Sequence, residues 1–261
     1  MASSVVGTWL FLAGAIAVSI LLAVGSIWLA DRVLPASVGR EQNSVLSPFL
    51  TVVGLVFGAL LGFTVVVAWE QFSTAEADVT KESSTLTTMY RQTVGMPAPE
   101  QAQMRILLRK YTKAVEGPEW ERQNSGGTTD TARAAITEMY RAYSGQPPDV
   151  AASPINREFL GQLTALTLVR NTRVLDALPR IPWILWCGLL FGGVVLVLLT
   201  GFVRLDSTFG HVMLASSVAA LLGLLLFIVY WLDHPFGTER GVTSAPFERA
   251  LQVFDSVDRG I

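Results

Sequence analysis

Charged side chains are absent from four stretches of this chain, residues 1–30, 42–69, 181–203 and 207–232, which together hold 107 of its 261 residues. Crossing a hydrocarbon layer roughly 30 Å thick takes about 20 helical residues, so the pattern predicts four transmembrane helices. The first is read as a retained helix and not a cleaved leader. Its apolar run from Val5 to Ala30 follows no basic residue and exceeds the roughly 7–15 residues of a signal-peptide core. The second is predicted to start after Ser47-Pro48, with the proline in its first turn, and to close at Trp69-Glu70. The third follows Arg180-Ile181-Pro182-Trp183, and the fourth ends at Tyr230-Trp231-Leu232-Asp233. Trp183, Trp186, Tyr230 and Trp231 stand where interfacial aromatic anchors stand.

Between the second and third stretches the pattern changes. Residues 70–180 carry 13 acidic and 13 basic side chains, and their apolar positions recur at helical spacing. Phe72, Ala75, Val79, Leu86, Met89 and Tyr90 continue the second helix without a break to Gly95-Met96-Pro97. A helix from near Pro99-Glu100 presents Met104, Leu107, Leu108 and Tyr111, and Gly117-Pro118 is expected to stop it. A shorter helix carries Ala132, Ala135, Ile136, Met139, Tyr140 and Tyr143. The last, over about 155–178, shows Phe159, Leu163, Leu166, Val169 and Val174 on one face. No stretch alternates as a strand does. The fold class is therefore all-α: transmembrane helices 1 and 2 over 5–69 with a short loop at 31–46, a cytosolic helical segment at 70–180, transmembrane helices 3 and 4 over 181–232, and a cytosolic C-terminal tail at 233–261.

Composition narrows the function. Only 15% of residues are charged and the formal net charge is −2, which removes the electrostatic case for binding nucleic acid. The single cysteine, Cys187, lies in the third span, is read as a small buried apolar residue, and allows no internal disulfide. Lys81, Arg170, Arg173, Arg180, Arg240 and Arg249 flank the spans on the side shared by both termini and the 70–180 segment. Arg32, Arg40 and Arg204 flank the other. Excess positive charge marks the cytoplasmic side, so both termini are expected there. Arginine outnumbers lysine 16 to 3, a composition that fits a bacterial source and an inner-membrane location.

Gly54, Gly58 and Gly62 are spaced by four in the second span, with Phe57 and Val65 between and beyond them. Such a strip lets another backbone come close, or lines a narrow passage without filling it, and the spacing leaves both readings open. Gly188 and Gly192, and Ala215, Ala219 and Gly223, repeat the theme. No charged group lies inside a span, and His211 only begins the fourth, which argues against ion-coupled transport. Trp69 reads as an anchor and Glu70 as a helix-surface carboxylate at the membrane exit. Asp233-His234-Pro235-Phe236-Gly237 reads as an exit turn. Asp233, His234 and Glu239 are too few to call a metal site. Nucleotide-loop, metalloprotease and serine-hydrolase patterns are all missing. No enzyme activity, cofactor or metal is expected.

The glycine-rich second span running through Leu61-Gly62-Phe63 to Trp69-Glu70, the stretch from Glu82 to Tyr90-Arg91, and Asp233-His234-Pro235-Phe236-Gly237 with Pro246-Phe247 and Ala250-Leu251 together resemble the bestrophin-like bacterial membrane proteins. Bestrophins are pentameric anion channels whose second helix lines the pore and whose Pro-Phe-Gly turn leads into an acidic calcium clasp. The resemblance implies a homo-oligomer in a lipid bilayer passing small anions such as chloride, with Gly54, Phe57, Gly58, Gly62 and Val65 on the pore helix. Here Thr238-Glu239-Arg240-Gly241 follows the turn, so the resemblance does not carry calcium gating with it. The alternative is a non-conducting membrane scaffold or sensor whose helical segment binds a protein partner.

Overall fold

A computed structural model describes residues 2–33, 40–123, 127, 129–147, 150, 153–203, 205, 207–236 and 241–260, without the side chains of 2–6 and 40–42. The described residues form α1 (Ala2–Val33), α2 (Arg40–Gln92), a 3₁₀ turn (Thr93–Gly95), α3 (Ala98–Ala114), a π-helical turn (Val115–Glu119), α4 (Trp120–Gln123), α5 (Asp130–Ser144), α6 (Pro154–Asp176), α7 (Trp183–Gly201), α8 (Thr208–Asp233) and α9 (Ala245–Asp258), with no strand among them. The fold is all-α. Four of the helices, α1, α2, α7 and α8, are long and apolar enough to cross a membrane.

The expected boundaries shift in two places. Helix α2 starts at Arg40 and holds Pro48 inside it, so the polar residues ahead of Ser47 belong to the helix and not to a loop. The proline has no N–H and forfeits one backbone bond near the helix start. Gly117-Pro118 does not end the helical run either, because the chain widens into the π turn and continues as α4. One extra residue in that turn accommodates the missing N–H and re-phases the chain, leaving Glu119, Trp120 and Gln123 all buried.

The chain divides into two compact units, Met1–Gln71 with Arg180–Asp233, and Phe72–Pro179 with His234–Ile261. In the first unit α1 packs against α7 and α8 around Ala23, Ile27, Val197, Ala215 and Ala219. Small residues set the spacing. A Cβ on Gly223 would lie 3.2 Å from the Ala15 carbonyl oxygen, and one on Gly201 would lie 2.7 Å from the Ser26 backbone. Ser26 donates its hydroxyl to Ala23 O at 2.7 Å, with Val197 O at 3.4 Å. His211 is buried with Nε2 3.0 Å from Thr200 O, at a helix contact. Cys187 is exposed and not buried, because its side of α7 faces away from this unit's core, as do Trp183 and Phe191.

In the second unit α3 packs on α5, and α9 on α3. Helix α6 opens on Ser153, whose Oγ accepts the Asn156 N–H at 3.3 Å, with Pro154 in its first turn. The stretch read as a tail contributes α9, whose Phe254 stacks on Tyr90 at 4.0 Å and 7°. Tyr90 donates its hydroxyl to Asp258 at 2.8 Å, and Arg105 and Arg109 reach the same carboxylate at 2.8 and 2.6 Å.

Two outcomes follow from this packing. Gly201→Ala is expected to lower stability by about 1–3 kcal/mol, the usual cost of overfilling a packed contact, read as a lower unfolding midpoint in detergent; Gly188→Ala, where a Cβ meets nothing within 4 Å, leaves the midpoint unchanged. Partial burial alone raises the Asp258 pKa, but hydrogen bonds from Arg109 and Tyr90 and the Arg109 and Arg105 charges outweigh it and hold it low. Its contribution is present above the ordinary aspartate value of about 3.9 and is lost as pH falls through the depressed folded value. Amide exchange in α9 is expected to quicken only in that acid range, and Asp258→Asn to quicken it at neutral pH.

Candidate functional site

Helix α2 has two unlike faces within the first unit. Phe57, Leu61, Thr64 and Ala68 recur at helical spacing and are buried. The Phe57 ring lies against α7, where a Cβ on Gly192 would stand 2.6 Å from its Cδ2. Glycine at 192 is what admits the ring. Gly54 is half-buried, with Leu196 Cδ1 3.9 Å from where its Cβ would be, and Val65 is half-buried too. Gly58 and Gly62 are exposed, and a Cβ at either would meet nothing within 4 Å. Contacts among the described residues therefore explain Phe57 and leave Gly58 and Gly62 uncovered. Trp69 is 59% exposed and Glu70 is exposed beside it.

Asp233, last residue of α8, is 3% exposed. One carboxylate oxygen accepts the Arg180 and Ile181 N–H groups, both at 3.0 Å, and the other the Trp186 indole N–H at 3.3 Å. It ties the entry of α7 to the end of α8 and spends its acceptors on the chain itself. The turn residues after it act in the second unit. His234 is half-buried, Pro235 accepts the Val242 N–H at 2.8 Å, and Phe236 is buried edge-on against Trp120 at 5.5 Å. Phe247 meets the same indole at 5.9 Å. Gly237 lies outside the described residues, as does Glu239.

Beneath those aromatic rings is a cluster that the sequence pattern did not reveal. Arg173 is fully buried, and its guanidinium donates to Glu82 at 2.6 Å through Nε and to Glu119 at 2.8 Å through Nη2; both carboxylates are fully buried as well. Arg170 donates to the second Glu119 oxygen at 2.9 Å, where Thr129 also donates at 3.2 Å. Tyr111 donates to Glu82 at 2.6 Å, and the Gln123 side chain bonds Arg173 through both its guanidinium and its carbonyl. The rings of Trp120 and Phe247 each lie 5.9 Å from the Arg173 guanidinium. Two cations balance two anions. Burial alone depresses the Arg173 pKa, but the Glu82 charge, the Tyr111 hydroxyl and Glu119 outweigh it and keep the guanidinium charged. Burial, then the Glu82 charge, pushes the Tyr111 hydroxyl well up, so it stays a neutral donor. The signal was present in α6: Phe159, Leu163, Leu166 and Val169 continue into Arg170 and Arg173 on the buried face, while Val174 is only half-buried.

Four long apolar helices with a charge-bearing helical unit define a multi-pass membrane protein of the all-α class. The sequence profile of the Bestrophin-like domain matches residues 17–247, and the chain belongs to that family of channel-type membrane proteins. Among solved structures it is similar to a bacterial bestrophin homologue from Klebsiella pneumoniae, at 15% identity and TM-score 0.71 over 93% of this chain and 96% of that one. A leucine-to-threonine variant of the Klebsiella pneumoniae homologue aligns at 12% identity and TM-score 0.70, covering 95% and 98% of the two chains. A glycine-to-alanine variant of a protein described as a membrane protein aligns at 13% and 0.70, covering 93% and 96%. No curated protein matches the sequence.

Removing one partner from a buried ion pair strands the other, at a cost of about 3–5 kcal/mol. Arg173→Met is accordingly expected to expose residues 72–179 to limited proteolysis, with Glu82→Gln milder because Gln still accepts hydrogen bonds. Equal protease resistance of wild type and Arg173→Met contradicts this role.

Proposed function

We propose that the protein is a homo-oligomeric, pentameric channel of the bacterial inner membrane that passes small anions such as chloride passively, with both termini cytoplasmic and α2 lining the pore. The observation that carries the reading is the uncovered pair Gly58 and Gly62, exposed beside the face of α2 that packs Phe57, Leu61, Thr64 and Ala68. A membrane helix gains close approach from glycine only where another backbone or a passage stands against it. Uncharged spans favour passive conduction along backbone, hydroxyls and apolar constrictions over coupled transport. Family membership supports the channel class. Residues 70–180 and the C-terminal stretch then form the cytosolic part, and Trp69 and Glu70 mark where α2 leaves the bilayer. Asp233, His234, Pro235 and Phe236 hold the exit in place and take no part in conduction.

The test is chloride flux from liposomes holding the purified protein. Flux above that of empty vesicles from an oligomeric species is expected, and no flux from a monomer contradicts the proposal and favours a scaffold. Gly58→Trp separates the two uses of the glycine strip: an intact oligomer with flux reduced at least about tenfold marks a pore-facing position, and a dissociated oligomer marks a subunit contact. Cys187→Ala serves as the background for thiol labelling.

A further inference from the structure

The second unit carries a groove that the functional reading leaves unused. It has a volume of about 390 Å³ and lies between α2 and α9, lined by Thr80, Ser84, Thr87, Thr88 and Arg91 on one side and by Pro246, Arg249, Ala250 and Val253 on the other. Ser83 joins the two walls by donating its hydroxyl to Pro246 O at 2.6 Å. Arg91 and Arg249 are exposed, and neither has a carboxylate or side-chain hydrogen-bond partner among the described residues. Arg105, Arg109, Arg170 and Arg173, by contrast, are each ion-paired.

We propose that this groove binds a phosphate-bearing ligand, with Arg91 and Arg249 holding the phosphate oxygens. A guanidinium offers a planar fork of donors matched to phosphate oxygens, and two of them on facing walls supply the charge a dianion needs. The hydroxyls complete the donor set. The Ser84 hydroxyl has no bond partner among the described residues, and the hydroxyls of Thr80, Thr87 and Thr88 donate only to carbonyls four residues back, Glu76 O, Ser83 O and Ser84 O, at 3.0 Å each. Those carbonyls already accept a helix N–H, so the hydroxyls can turn toward a ligand with little loss. Pro246, Ala250 and Val253 give the same groove an apolar wall for the body of an organic phosphate, and its volume falls within the range of small-molecule sites. A soluble organic phosphate and a lipid phosphate headgroup present the same group. The site stands on the second unit alone and does not depend on conduction.

The direct test titrates the full-length protein in detergent with inorganic phosphate, with chloride at equal ionic strength as the control, following heat of binding and unfolding midpoint. Saturable phosphate binding that chloride does not reproduce is expected. Arg91→Gln with Arg249→Gln should weaken it at least about tenfold, a modest figure for losing charged hydrogen bonds, without moving the midpoint of the ligand-free protein. Ser84→Ala, which removes a hydroxyl and no charge, should weaken it a few-fold and keeps the test decisive if the double variant folds poorly. Repeating the titration in phosphatidylcholine discs with and without phosphatidic acid identifies the source: weaker apparent phosphate affinity in the acidic discs, dependent on both arginines, marks a lipid headgroup, and unchanged affinity marks a soluble ligand. Phosphate acting no differently from chloride, or binding the double variant as it binds wild type, overturns the proposal.

Discussion

Hydrocarbon excludes unpaired charge, and that constraint sorts every ionic group in this protein. The four spans hold none, so their cohesion comes from close backbone approach at Gly201 and Gly223 and from the Phe57 ring seated over Gly192. The ionic groups are gathered outside the spans, and there the chain buries some of them. Arg173 between Glu82 and Glu119, roofed by Trp120 and Phe247, joins α2, the π turn and α6 with bonds that have direction. Apolar packing alone has none, so a buried ion cluster selects one helix arrangement from many of similar burial.

The same cluster gives the C-terminal motif a physical purpose. Phe236 and Phe247 both pack on Trp120, whose ring lies near Arg173. The Pro-Phe turn is thus a lid over buried charge, excluding the water that would weaken the ion pairs. Asp233, two residues before Pro235, works in the first unit as an acceptor for the entry of α7. Adjacent residues in the sequence therefore serve different units, and neither needs a metal to account for its carboxylate or ring.

The four apolar helices and the all-α class were legible because charge-free length and helical period are both strong, one-dimensional signals. Two features were not. A π turn at Val115–Glu119 is a change of phase that Gly117-Pro118 disguises as a stop, and its effect, turning Glu119 inward, exists only once α6 is beside it. Arg170 and Arg173 look like solvated charges until their partners, 51 and 91 residues away in sequence, are brought to them. Cys187 was misread for a related reason: a membrane helix hides its apolar side chains in lipid and not in its own core, so apolar character does not report packing within the chain. The glycine strip was visible in sequence, but only the structure separates Phe57, satisfied within the chain, from Gly58 and Gly62, which are not.

What stands against Gly58 and Gly62 is the central question for this protein, and imaging purified particles in lipid down the membrane axis answers it most directly. Five copies around a central opening, with Gly58 and Gly62 of each α2 at its edge, are expected. A monomer, or a closed dimer with those glycines turned to lipid, would contradict this arrangement.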